Sequence, residues 1–463
     1  MTALVERLRA ELGAAAVITD PDVTVSYSRD MMPLAANGRP LAVVLPADRG
    51  DVQTVVRACA AAHVPIVPRG AGSGLTGAAN AVDGCVVLTM TRMNEILEID
   101  PDNRLAVVQP GVVNLDFRTA VEKHGLFYPP DPSSYDWCTI GGNLSTNAGG
   151  LCCVKYGVTT DSVLGLDVVL ADGELLRTGR RTVKGVAGYD LTKLFIGSEG
   201  TLGVITSATL ALRPLPQAPS TLVAAFDDTE DAGDAVSRVV REGLVPSLME
   251  IMDANSIKAS EAYLKTEVGP AGGCKALLLC QSDAGGEVAA RELTAIERIC
   301  ADAGATMTYV TDDLAEGRML LQARRVVLVA LEMYGTWLTD DVCVPRTRIA
   351  ELIAGCERIS SSVGLMIAVV GHAGDGNMHP TIVYDPTSPD ESARARRAFD
   401  EILAVGLRLG GTVTGEHGIG RIKQEWLATE IGPVGMRVHR TLKAALDPSN
   451  LFNPGSMFAM SAV

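Results

Sequence analysis

The stretch PRGAGSGLTGAAN, residues 68–80, begins at the last residue of the apolar run VPIVP and is unusually rich in glycine. Closely spaced glycines let backbone N–H groups converge on an anion such as a pyrophosphate. Gly72, Gly74 and Gly77 also fit the G-x-G-x-x-G pattern of a Rossmann dinucleotide site. However, the next apolar run begins as early as Cys85, whereas a parallel crossover with its helix needs a dozen or more residues. We therefore expect either a phosphate-binding loop without a Rossmann unit or an ordinary glycine-rich turn.

Two further glycine-rich segments lie downstream, TIGGNLSTNAGG at residues 139–150 and GSEGTLGVIT at residues 197–206. The first is uncharged and rich in Asn, Ser and Thr, so we expect a loop whose backbone passes close to a ligand. The second opens an apolar run of strand type. Three such segments are harder to explain as turns than one, and they indicate a shared ligand-binding domain.

The composition narrows the class of protein. With 463 residues, 47% of them hydrophobic, the chain is long enough for about two or three domains. Its net charge of −15, without a long Lys/Arg cluster, argues against a nucleic-acid partner. Ten cysteines without a C-x-x-C spacing favour a reducing, cytoplasmic setting. No apolar run approaches the roughly 20 residues of a transmembrane helix, so we expect no transmembrane segment and at most peripheral contact with the inner face of a membrane.

A Pro-rich stretch, LRPLPQAPS at residues 212–220, interrupts helix and strand patterns and predicts a domain boundary. Short β-type runs precede it, with one clear helix at Val52–Ala62. After it, apolar runs alternate with amphipathic helices, including one predicted from Leu314 to Met333. The predicted parts are a first domain over residues 1–215, a second over 216–412 and a C-terminal segment over 413–463.

His372 and His379 flank a Gly-Asp-Gly turn in HAGDGNMH. On one straight strand their side chains would point to opposite faces, because strand side chains alternate. A turn at Asp375–Gly376 would fold the chain back and bring both imidazoles to one place. Two converging histidines with a carboxylate can bind a transition metal, and Glu416, followed by His417 in GEHGIG, is a candidate for that carboxylate. Structural roles in the core or in a turn are the alternative for both histidines.

The three glycine-rich segments, in this order and spacing, resemble the FAD-binding domain of the vanillyl-alcohol oxidase and p-cresol methylhydroxylase family. The histidine motif and GEHGIG resemble the C-terminal half of the FAD-linked D-2-hydroxyacid dehydrogenases. The resemblance implies an α+β fold: a two-part FAD-binding domain of the p-cresol methylhydroxylase type, an α/β cap domain with a mostly antiparallel sheet, and a C-terminal helical segment that completes the active site and packs on the FAD-binding domain. FAD is expected to be noncovalent, because the first loop lacks the His or Cys that binds flavin covalently in some relatives.

The same resemblance implies roles for single residues. His372, His379 and Glu416 correspond to ligands of a divalent metal, for which zinc and manganese are the candidates. His417 corresponds to the catalytic base. Arg324 in LLQARR corresponds to the arginine that binds the substrate carboxylate, with an ordinary surface-helix arginine as the alternative.

The FAD contacts implied by the resemblance lie mainly in the three glycine-rich segments. Asn453 in FNPG would lie near the flavin, and a turn residue before a proline is the alternative. The other implied FAD residues are Pro68, Arg69, Gly70, Ala71, Gly72, Ser73, Gly74, Thr76, Pro130, Thr139, Gly141, Gly142, Asn143, Ser145, Thr146, Asn147, Gly149, Gly150, Glu199, Gly200, Gly203, Val204 and Ile205.

The segments TDDVCVP, GEHGIG and LDPSNLFNPG resemble the D-lactate dehydrogenase branch of that family most closely. Thr339 and Thr381 stand where the D-2-hydroxyglutarate enzymes carry a Lys and an Asn, which favours a substrate with a single carboxylate. The expected activity is FAD- and metal-dependent oxidation of a D-2-hydroxy acid, with D-lactate ahead of glycolate and D-2-hydroxyglutarate. The expected electron acceptor is a quinone, an electron-transfer flavoprotein, a cytochrome or another carrier, and a homodimer is one possible assembly.

Two other classes of function stay open. A metal hydrolase could use the same histidines and carboxylate with a bound water, but it would leave the glycine-rich segments unexplained and would be colourless. A catalytically silent flavoprotein subunit of an electron-transfer complex would be yellow, yet no hydroxy acid would bleach it.

Overall fold

The chain divides into two units in a computed structural model that describes residues 2–459. Unit 1 contains the residues up to Gly149, Gly157–Leu215 and the residues from Glu416 onward. Unit 2 contains Gly150–Tyr156 and Pro216–Gly415. Both units combine helices with β-sheets, which confirms the predicted α+β class.

The strands are mostly short in the first half of the chain and longer in the second. In chain order they are β1 (Val17–Ile18), β2 (Ala42–Val44), β3 (Ile66–Arg69), β4 (Val86–Thr89), β5 (Ile96–Asp100), β6 (Leu105–Val108), β7 (Leu126–Phe127), β8 (Val163–Val169), β9 (Leu175–Gly179), β10 (Val204–Ala211), β11 (Arg213–Pro214), β12 (Ser220–Phe226), β13 (Leu248–Asp253), β14 (Ala276–Ser282), β15 (Met307–Thr311), β16 (Thr336–Thr339), β17 (Val342–Cys343), β18 (Ile367–His372) and β19 (Asn377–Tyr384). The α-helices are α1 (Thr2–Leu12), α2 (Pro21–Thr24), α3 (Arg49–Ala62), α4 (Asn114–Glu122), α5 (Ile140–Thr146), α6 (Cys153–Tyr156), α7 (Leu191–Phe195), α8 (Thr229–Arg241), α9 (Ala254–Leu264), α10 (Gly286–Asp302), α11 (Leu314–Arg325), α12 (Val327–Leu331), α13 (Ile349–Val363), α14 (Pro389–Arg408) and α15 (Gln424–Leu446).

Two sheets form the centre of unit 1. The first has the strand order β1-β2-β4-β3, with β3 and β4 parallel, and the second is the antiparallel sheet β5-β6-β10-β8-β9. Residues 70–85 connect β3 to β4 and contain neither a helix nor a strand. The first glycine-rich loop is therefore not part of a Rossmann unit, although the strands on its two sides are parallel.

Helix α3 shows how local sequence sets an element that packs on the first sheet. Asp48 caps the helix, and its carboxylate accepts the backbone N–H of Asp51 at 3.0 Å. The helix therefore begins at Arg49, about one turn before the predicted start. Its buried apolar face recurs at helical spacing, and each fully buried valine contributes roughly 1.5–2 kcal/mol relative to exposure. The face consists of Val52, Val55, Val56 and Cys59.

Unit 2 is built on one antiparallel sheet in the order β15-β12-β14-β13-β18-β19-β16, with the short β17 paired to β19. Every pairing in this sheet is antiparallel, as the resemblance implied. All residues of β13, β18 and β19 are buried. Polar side chains on these three strands are therefore held away from bulk water. Their interactions with one another are stronger in the protein interior than they would be in water.

The predicted continuous helix from Leu314 to Met333 is wrong. Helix α11 ends at Arg325, and the shorter α12 begins at Val327. Val326 separates them because its ψ of −1° lies far from the helical value near −42°. Arg324 consequently lies in the last turn of α11. Among the helices of residues 2–459, none is both long and apolar enough to cross a membrane.

Candidate active site

The three glycine-rich segments meet in unit 1. The first and second touch at Gly70, where an added Cβ would collide with Thr139 Oγ1. The second and third are joined by the backbone N–H of Glu199, which donates to the carbonyl of Ser145 at 2.8 Å. Segments far apart in the sequence are thus neighbours in space, which is the arrangement a shared ligand would require.

Residues 140–146 of the second segment form a short helix, so the expectation of a loop is wrong for this part of the segment. Thr139 caps α5 by accepting the N–H of Gly142 at 3.2 Å, and Asn147 ends the helix in the left-handed region at φ 59°. Gly141 is needed because a Cβ there would lie 2.9 Å from the carbonyl oxygen of Pro110. The backbone of residues 140–146 therefore follows a helical path, and its close approach to FAD stays a prediction.

Asn143 of this helix has its side chain inside unit 1. Its Oδ1 accepts Asn114 Nδ2 at 3.0 Å, and its Nδ2 donates to Cys138 Sγ at 3.3 Å. Asn114 Nδ2 also donates to the carbonyl oxygen of Pro130 at 3.1 Å. These bonds connect the predicted FAD residues Asn143 and Pro130 through Asn114, and a direct contact of either with FAD stays a prediction.

The other predicted FAD residues fall into three places. Pro68 and Arg69 end β3, and Gly70, Ala71, Gly72, Ser73, Gly74 and Thr76 follow in the loop. Gly200 and Gly203 precede β10, which begins with the buried Val204 and Ile205. Ser145 and Thr146 end α5, and Gly149 is the last residue of its part of unit 1, whereas Gly150 belongs to unit 2.

Arg69 braces the first glycine-rich loop from inside. Its Nη1 donates to the carbonyl of Ala79 at 3.2 Å and its Nη2 to the carbonyl of Arg29 at 2.9 Å. Its guanidinium fills the space beside Gly72, so a side chain at that position would collide with it. Gly72 also has a φ of 85°, a conformation that residues with a side chain rarely adopt. Burial lowers the pKa of Arg69, and Asp30 acts in the opposite direction. A contact of Arg69 with the pyrophosphate would therefore add to a structural role.

Asp30 is a buried carboxyl group beside this loop that the sequence analysis did not identify. Its Oδ1 accepts the N–H of Met32 at 3.0 Å, whereas its Oδ2 accepts no hydrogen bond of normal geometry. Burial raises the pKa of Asp30 to about 6, although the N–H of Met32 and the Arg69 guanidinium act in the opposite direction.

We predict that Asp30→Asn stabilises the protein at neutral pH. The unfolded chain loses this proton at the ordinary pKa of 3.8, whereas the folded chain keeps it until about 6. The folded state binds more protons in this window, so wild-type stability falls as pH rises, by about 3 kcal/mol in total. The Asp30→Asn variant lacks this pH dependence, because an amide does not titrate. Denaturant unfolding at about pH 4 and about pH 8 measures the effect, and an equal difference between the two proteins at both pH values would contradict it.

Glu199, predicted to bind FAD, holds the loop that follows His417, and its contact with FAD stays a prediction. Its carboxylate accepts the N–H groups of Ile419 at 2.6 Å and Gly420 at 2.9 Å, and the hydroxyl of Ser456 at 2.8 Å. Burial raises the pKa of Glu199, and these three donors act in the opposite direction. The third glycine-rich segment thereby fixes the backbone next to the predicted catalytic base.

Asn453 is buried and is more than a turn residue. Its Nδ2 donates to the carbonyls of Ala78 and Glu199, both at 2.8 Å, and its backbone N–H donates to Ile66 at 2.7 Å. Its Oδ1 has no hydrogen-bond partner. Asn453 therefore joins the first and third segments and keeps one buried acceptor.

Unit 1 contains buried polar atoms without hydrogen-bond partners, as expected of a site for FAD. Besides Asn453 Oδ1 and Asp30 Oδ2, the buried Oδ1 of Asn114 and the hydroxyl of Tyr128 lack hydrogen-bond partners. Buried polar groups without partners are costly unless a ligand or water satisfies them. A cofactor with many hydroxyl and ring nitrogen groups can supply such partners.

The two predicted metal-binding histidines lie on the β18–β19 hairpin of unit 2. Their rings approach to 5.1 Å between centroids in an edge-to-face arrangement. The turn requires Gly376, which has a φ of 81° and no room for a Cβ beside the carbonyl of Val344. His379 Nδ1 lies 3.8 Å from Asp341 Oδ1. The structure therefore brings His372 and His379 together, as the turn in the sequence predicted.

Arg324 is buried, so the alternative of a surface-helix arginine is wrong. Its Nε donates to Glu250 Oε2 at 2.7 Å. Glu250 Oε1 lies 2.5 Å from His372 Nδ1, and Glu250 itself is fully buried on β13. The sequence analysis missed Glu250, and its signal was a single carboxylate within the apolar run LMEIM.

Asp341 and Asn377 complete this cluster and were also not assigned from the sequence. Asp341 Oδ2 accepts the hydroxyl of Thr414 at 2.7 Å and the N–H of Gly415 at 2.9 Å. The buried Asn377 Oδ1 faces Gly415 and has no hydrogen-bond partner. Buried imidazoles, a carboxylate and an amide oxygen form a donor set that fits a first-row divalent metal.

Glu416 and His417 directly follow Gly415 and belong to unit 1. The Glu416 carboxylate lies against Gly149, where a Cβ would collide with Glu416 Oε2. His417 Nε2 lies 3.9 Å from Glu416 Oε1. Gly149, predicted to bind FAD, thus also makes room for the predicted metal ligand.

Thr339 and Thr381 are cross-strand partners on β16 and β19. Thr381 Oγ1 donates to Thr339 Oγ1 at 3.0 Å, and both residues are buried. The two positions singled out for substrate choice therefore lie side by side and carry only neutral hydroxyl groups.

Comparison with family models and curated proteins identifies similar sequences over almost the whole chain. Residues 40–179 match the model of an FAD binding domain, and residues 215–457 match that of the C-terminal domain of FAD linked oxidases. The chain is 43% identical to the glycolate oxidase subunit GlcD of Bacillus subtilis (strain 168), over 94% of this chain and 92% of that protein. It is 38% identical to GlcD of Escherichia coli (strain K12), over 98% and 90%, and 33% identical to a D-lactate dehydrogenase of Anaerostipes hadrus, over 98% and 97%.

Solved structures with a similar fold include p-cresol methylhydroxylase with substrate bound. It superimposes with a TM-score of 0.81 at 23% identity, over 99% of this chain and 96% of that one. A 4-ethylphenol oxidase from Gulosibacter chungangensis gives a TM-score of 0.80 at 20% identity, over 100% and 97%. These similarities confirm the predicted fold of the p-cresol methylhydroxylase type.

Proposed function

Because this chain belongs to the family of FAD-linked oxidases, we propose that it oxidises a small 2-hydroxy monocarboxylate, with D-lactate the first candidate, to the 2-oxo acid. The predicted class, an FAD-linked oxidoreductase, agrees with its relatives, and the metal hydrolase alternative is wrong. FAD bound by this chain would supply the hydride acceptor for such an oxidation.

The observation that carries this proposal is the buried chain of contacts Arg324–Glu250–His372, next to His379 and Asp341. A guanidinium is well suited to bind a carboxylate, and imidazole and carboxylate donors are well suited to a divalent metal. A 2-hydroxy acid carries its carboxylate and its hydroxyl on adjacent carbons. Such a substrate therefore matches both kinds of group at once.

We assign the substrate carboxylate to Arg324 and the metal to His372, His379 and Glu416. A bound divalent cation of the zinc or manganese type would lower the pKa of the substrate hydroxyl. Arg324 would fix the orientation of C2 by holding the carboxylate through its terminal nitrogens. Its Nε is already used by Glu250, which keeps the guanidinium in one orientation.

His417 is proposed to take the hydroxyl proton as the general base. Asp341 binds the N–H of Gly415, and Glu416 and His417 are the next two residues of the chain. One family model covers all of these residues, which supports their assignment to the same reaction.

Noncovalent FAD is proposed to bind to the glycine-rich segments of unit 1. The pyrophosphate is assigned to residues 69–76, and the flavin and its linker to residues 141–150 and 200–205. The contacts between these segments and the unsatisfied polar atoms of Asn453 and Asp30 support this assignment.

A monocarboxylate is favoured because Thr339 and Thr381 are hydrogen-bonded to each other and offer no positive charge to a second carboxylate. We predict that the double variant Thr339→Lys/Thr381→Asn raises the ratio of kcat/KM for D-2-hydroxyglutarate to that for D-lactate at least about tenfold, the effect of one charge-assisted hydrogen bond. Steady-state kinetics with both substrates measures the ratio. Thr339→Val/Thr381→Val is the matched neutral control. An unchanged ratio in a double variant that still binds FAD would contradict the role of these positions.

Glycolate is the second candidate, because relatives of 43% and 38% identity are glycolate oxidase subunits. A subunit would pass its electrons to a partner chain, whereas an independent enzyme, monomeric or homodimeric, would reduce a quinone, an electron-transfer flavoprotein or a cytochrome itself. A catalytically silent flavoprotein subunit would belong to the first arrangement, but it would not oxidise a substrate itself.

Anaerobic titration of the yellow protein with D-lactate, L-lactate, glycolate and D-2-hydroxyglutarate tests the proposed function. We expect D-lactate or glycolate to bleach the flavin absorbance, and L-lactate and D-2-hydroxyglutarate to leave it unchanged. Bleaching by D-2-hydroxyglutarate alone would contradict the monocarboxylate assignment. A flavin that none of the four compounds reduces would favour the silent subunit.

A further inference from the structure

We propose that Glu250 is a positioning residue that couples metal binding to substrate binding by holding His372 and Arg324 with the two oxygens of one carboxylate. The inference rests on the proposed function, because it concerns how this chain prepares the groups assigned there. Glu250 faces His372 across the pairing of β13 and β18, and Arg324 reaches it from the last turn of α11. All three side chains are buried, so water does not compete for these contacts.

The contact with His372 selects which ring nitrogen is offered to a metal. Glu250 Oε1 lies 2.5 Å from Nδ1, and a carboxylate oxygen is an acceptor, so Nδ1 carries the hydrogen. Nε2 then keeps its lone pair, which is the form of imidazole that binds a metal through that nitrogen. A carboxylate behind a metal-binding histidine also fixes the plane of the ring.

The contact with Arg324 selects which edge of the guanidinium is offered to the substrate. Glu250 Oε2 receives Nε–H at 2.7 Å, so the contact occupies one side of the fork. The terminal Nη groups then have a fixed direction, which favours two-pronged binding of a small carboxylate. Without the anchor, the long side chain would sample several rotamers, and ordering it would oppose substrate binding.

A glutamine cannot replace this carboxylate, although it has almost the same shape. His372 and Arg324 are both donors toward Glu250, whereas an amide offers one acceptor oxygen and one NH2 group. If the oxygen binds Arg324, the NH2 group faces Nδ1 and forces the hydrogen onto Nε2 of His372. If the oxygen binds His372, two donors oppose each other at Arg324. In either orientation the variant therefore loses one of two features, the metal-binding lone pair on His372 Nε2 or the anchored orientation of Arg324.

The test compares holoenzyme carrying Glu250→Gln with wild type in two measurements. Metal retained against graded chelator concentrations, with Mn²⁺ and Zn²⁺ as probes, gives the affinity for the metal and needs no turnover. KM and kcat at saturating metal give the effect on the substrate. We expect the metal dissociation constant to rise about 10- to 100-fold, or KM to rise about tenfold or more while kcat changes less. In an Arg324→Met background, Glu250→Gln should cause no further rise in KM.

Asp253→Asn is the matched control, because Asp253 is a second buried carboxylate of β13 and caps α9 through the N–H of Ser256 at 2.8 Å. It should leave both the metal affinity and KM unchanged, because Asp253 contacts neither His372 nor Arg324 through its cap and Asn is as good an N-cap as Asp. A Glu250→Gln protein that behaves in the same way would overturn the inference. If that variant does not fold, Glu250→Asp, which retracts the carboxylate by one methylene, is measured under the same criteria. A wild-type protein that binds neither metal and is reduced by no 2-hydroxy acid would instead overturn the proposed function.

Discussion

His417→Asn is expected to lower the rate of flavin reduction by the substrate about a thousandfold, within the range that a general base contributes. The amide cannot accept the hydroxyl proton, so the hydride would have to leave an alcohol that is still protonated. The variant should keep its fold and its FAD, because Glu199 fixes the next residues through the N–H groups of Ile419 and Gly420. Anaerobic stopped-flow absorbance of the flavin measures the rate.

The matched control is His124→Asn, which replaces an exposed histidine of unit 1. It should reduce its flavin at the wild-type rate, and both variants should contain wild-type amounts of FAD. A His417→Asn protein that is reduced as fast as the control would show that the base is another group. Loss of FAD from that variant alone would assign His417 a role in cofactor binding instead.

The parts of the site that sequence could predict are those in which the interacting residues are close in the chain. His372 and His379 lie on the two arms of one hairpin, and side-chain alternation with a glycine turn was enough to predict that their rings converge. Glu250 lies 122 residues before His372 and meets it only because β13 pairs with β18. The local pattern around Glu250 specifies neither partner, since strand pairing in a sheet of this kind depends on the whole topology.

The prediction of a loop at helix α5 was wrong for a different reason. Its first residues, Ile140, Gly141 and Gly142, include two glycines, each of which costs about 1 kcal/mol in a helix, so the sequence favoured a loop. Local and tertiary contacts outweigh that cost. Thr139 caps the helix, and position 141 packs so closely against Pro110 that only a glycine fits there. The predicted α+β class and the antiparallel second sheet, by contrast, followed from motifs that resemble a known family, and local periodicity would not have supplied the strand order.

Removal of the metal by dialysis against a chelator is expected to lower turnover at least about a hundredfold and to leave FAD bound. The proposed ligands His372 and His379 and the neighbouring Asp341 lie in unit 2, whereas the three glycine-rich segments that would hold FAD lie largely in unit 1. Without a cation, His417 would have to take a proton from a hydroxyl of much higher pKa, while Arg324 could still bind the carboxylate. Metal and flavin per chain are measured by atomic emission and absorbance, and turnover with an artificial electron acceptor.

Adding back Mn²⁺ or Zn²⁺ separately should restore turnover and identify the metal that supports it. His379→Gln should show the same loss without any chelator, because the ring lies beside both His372 and Asp341. His439→Gln is the matched control, since His439 is an exposed histidine on α15. Full turnover of metal-free protein would remove the metal from the mechanism. In that case the buried imidazole pair would serve to orient the substrate hydroxyl, and the loss caused by His379→Gln would appear in KM rather than in metal content.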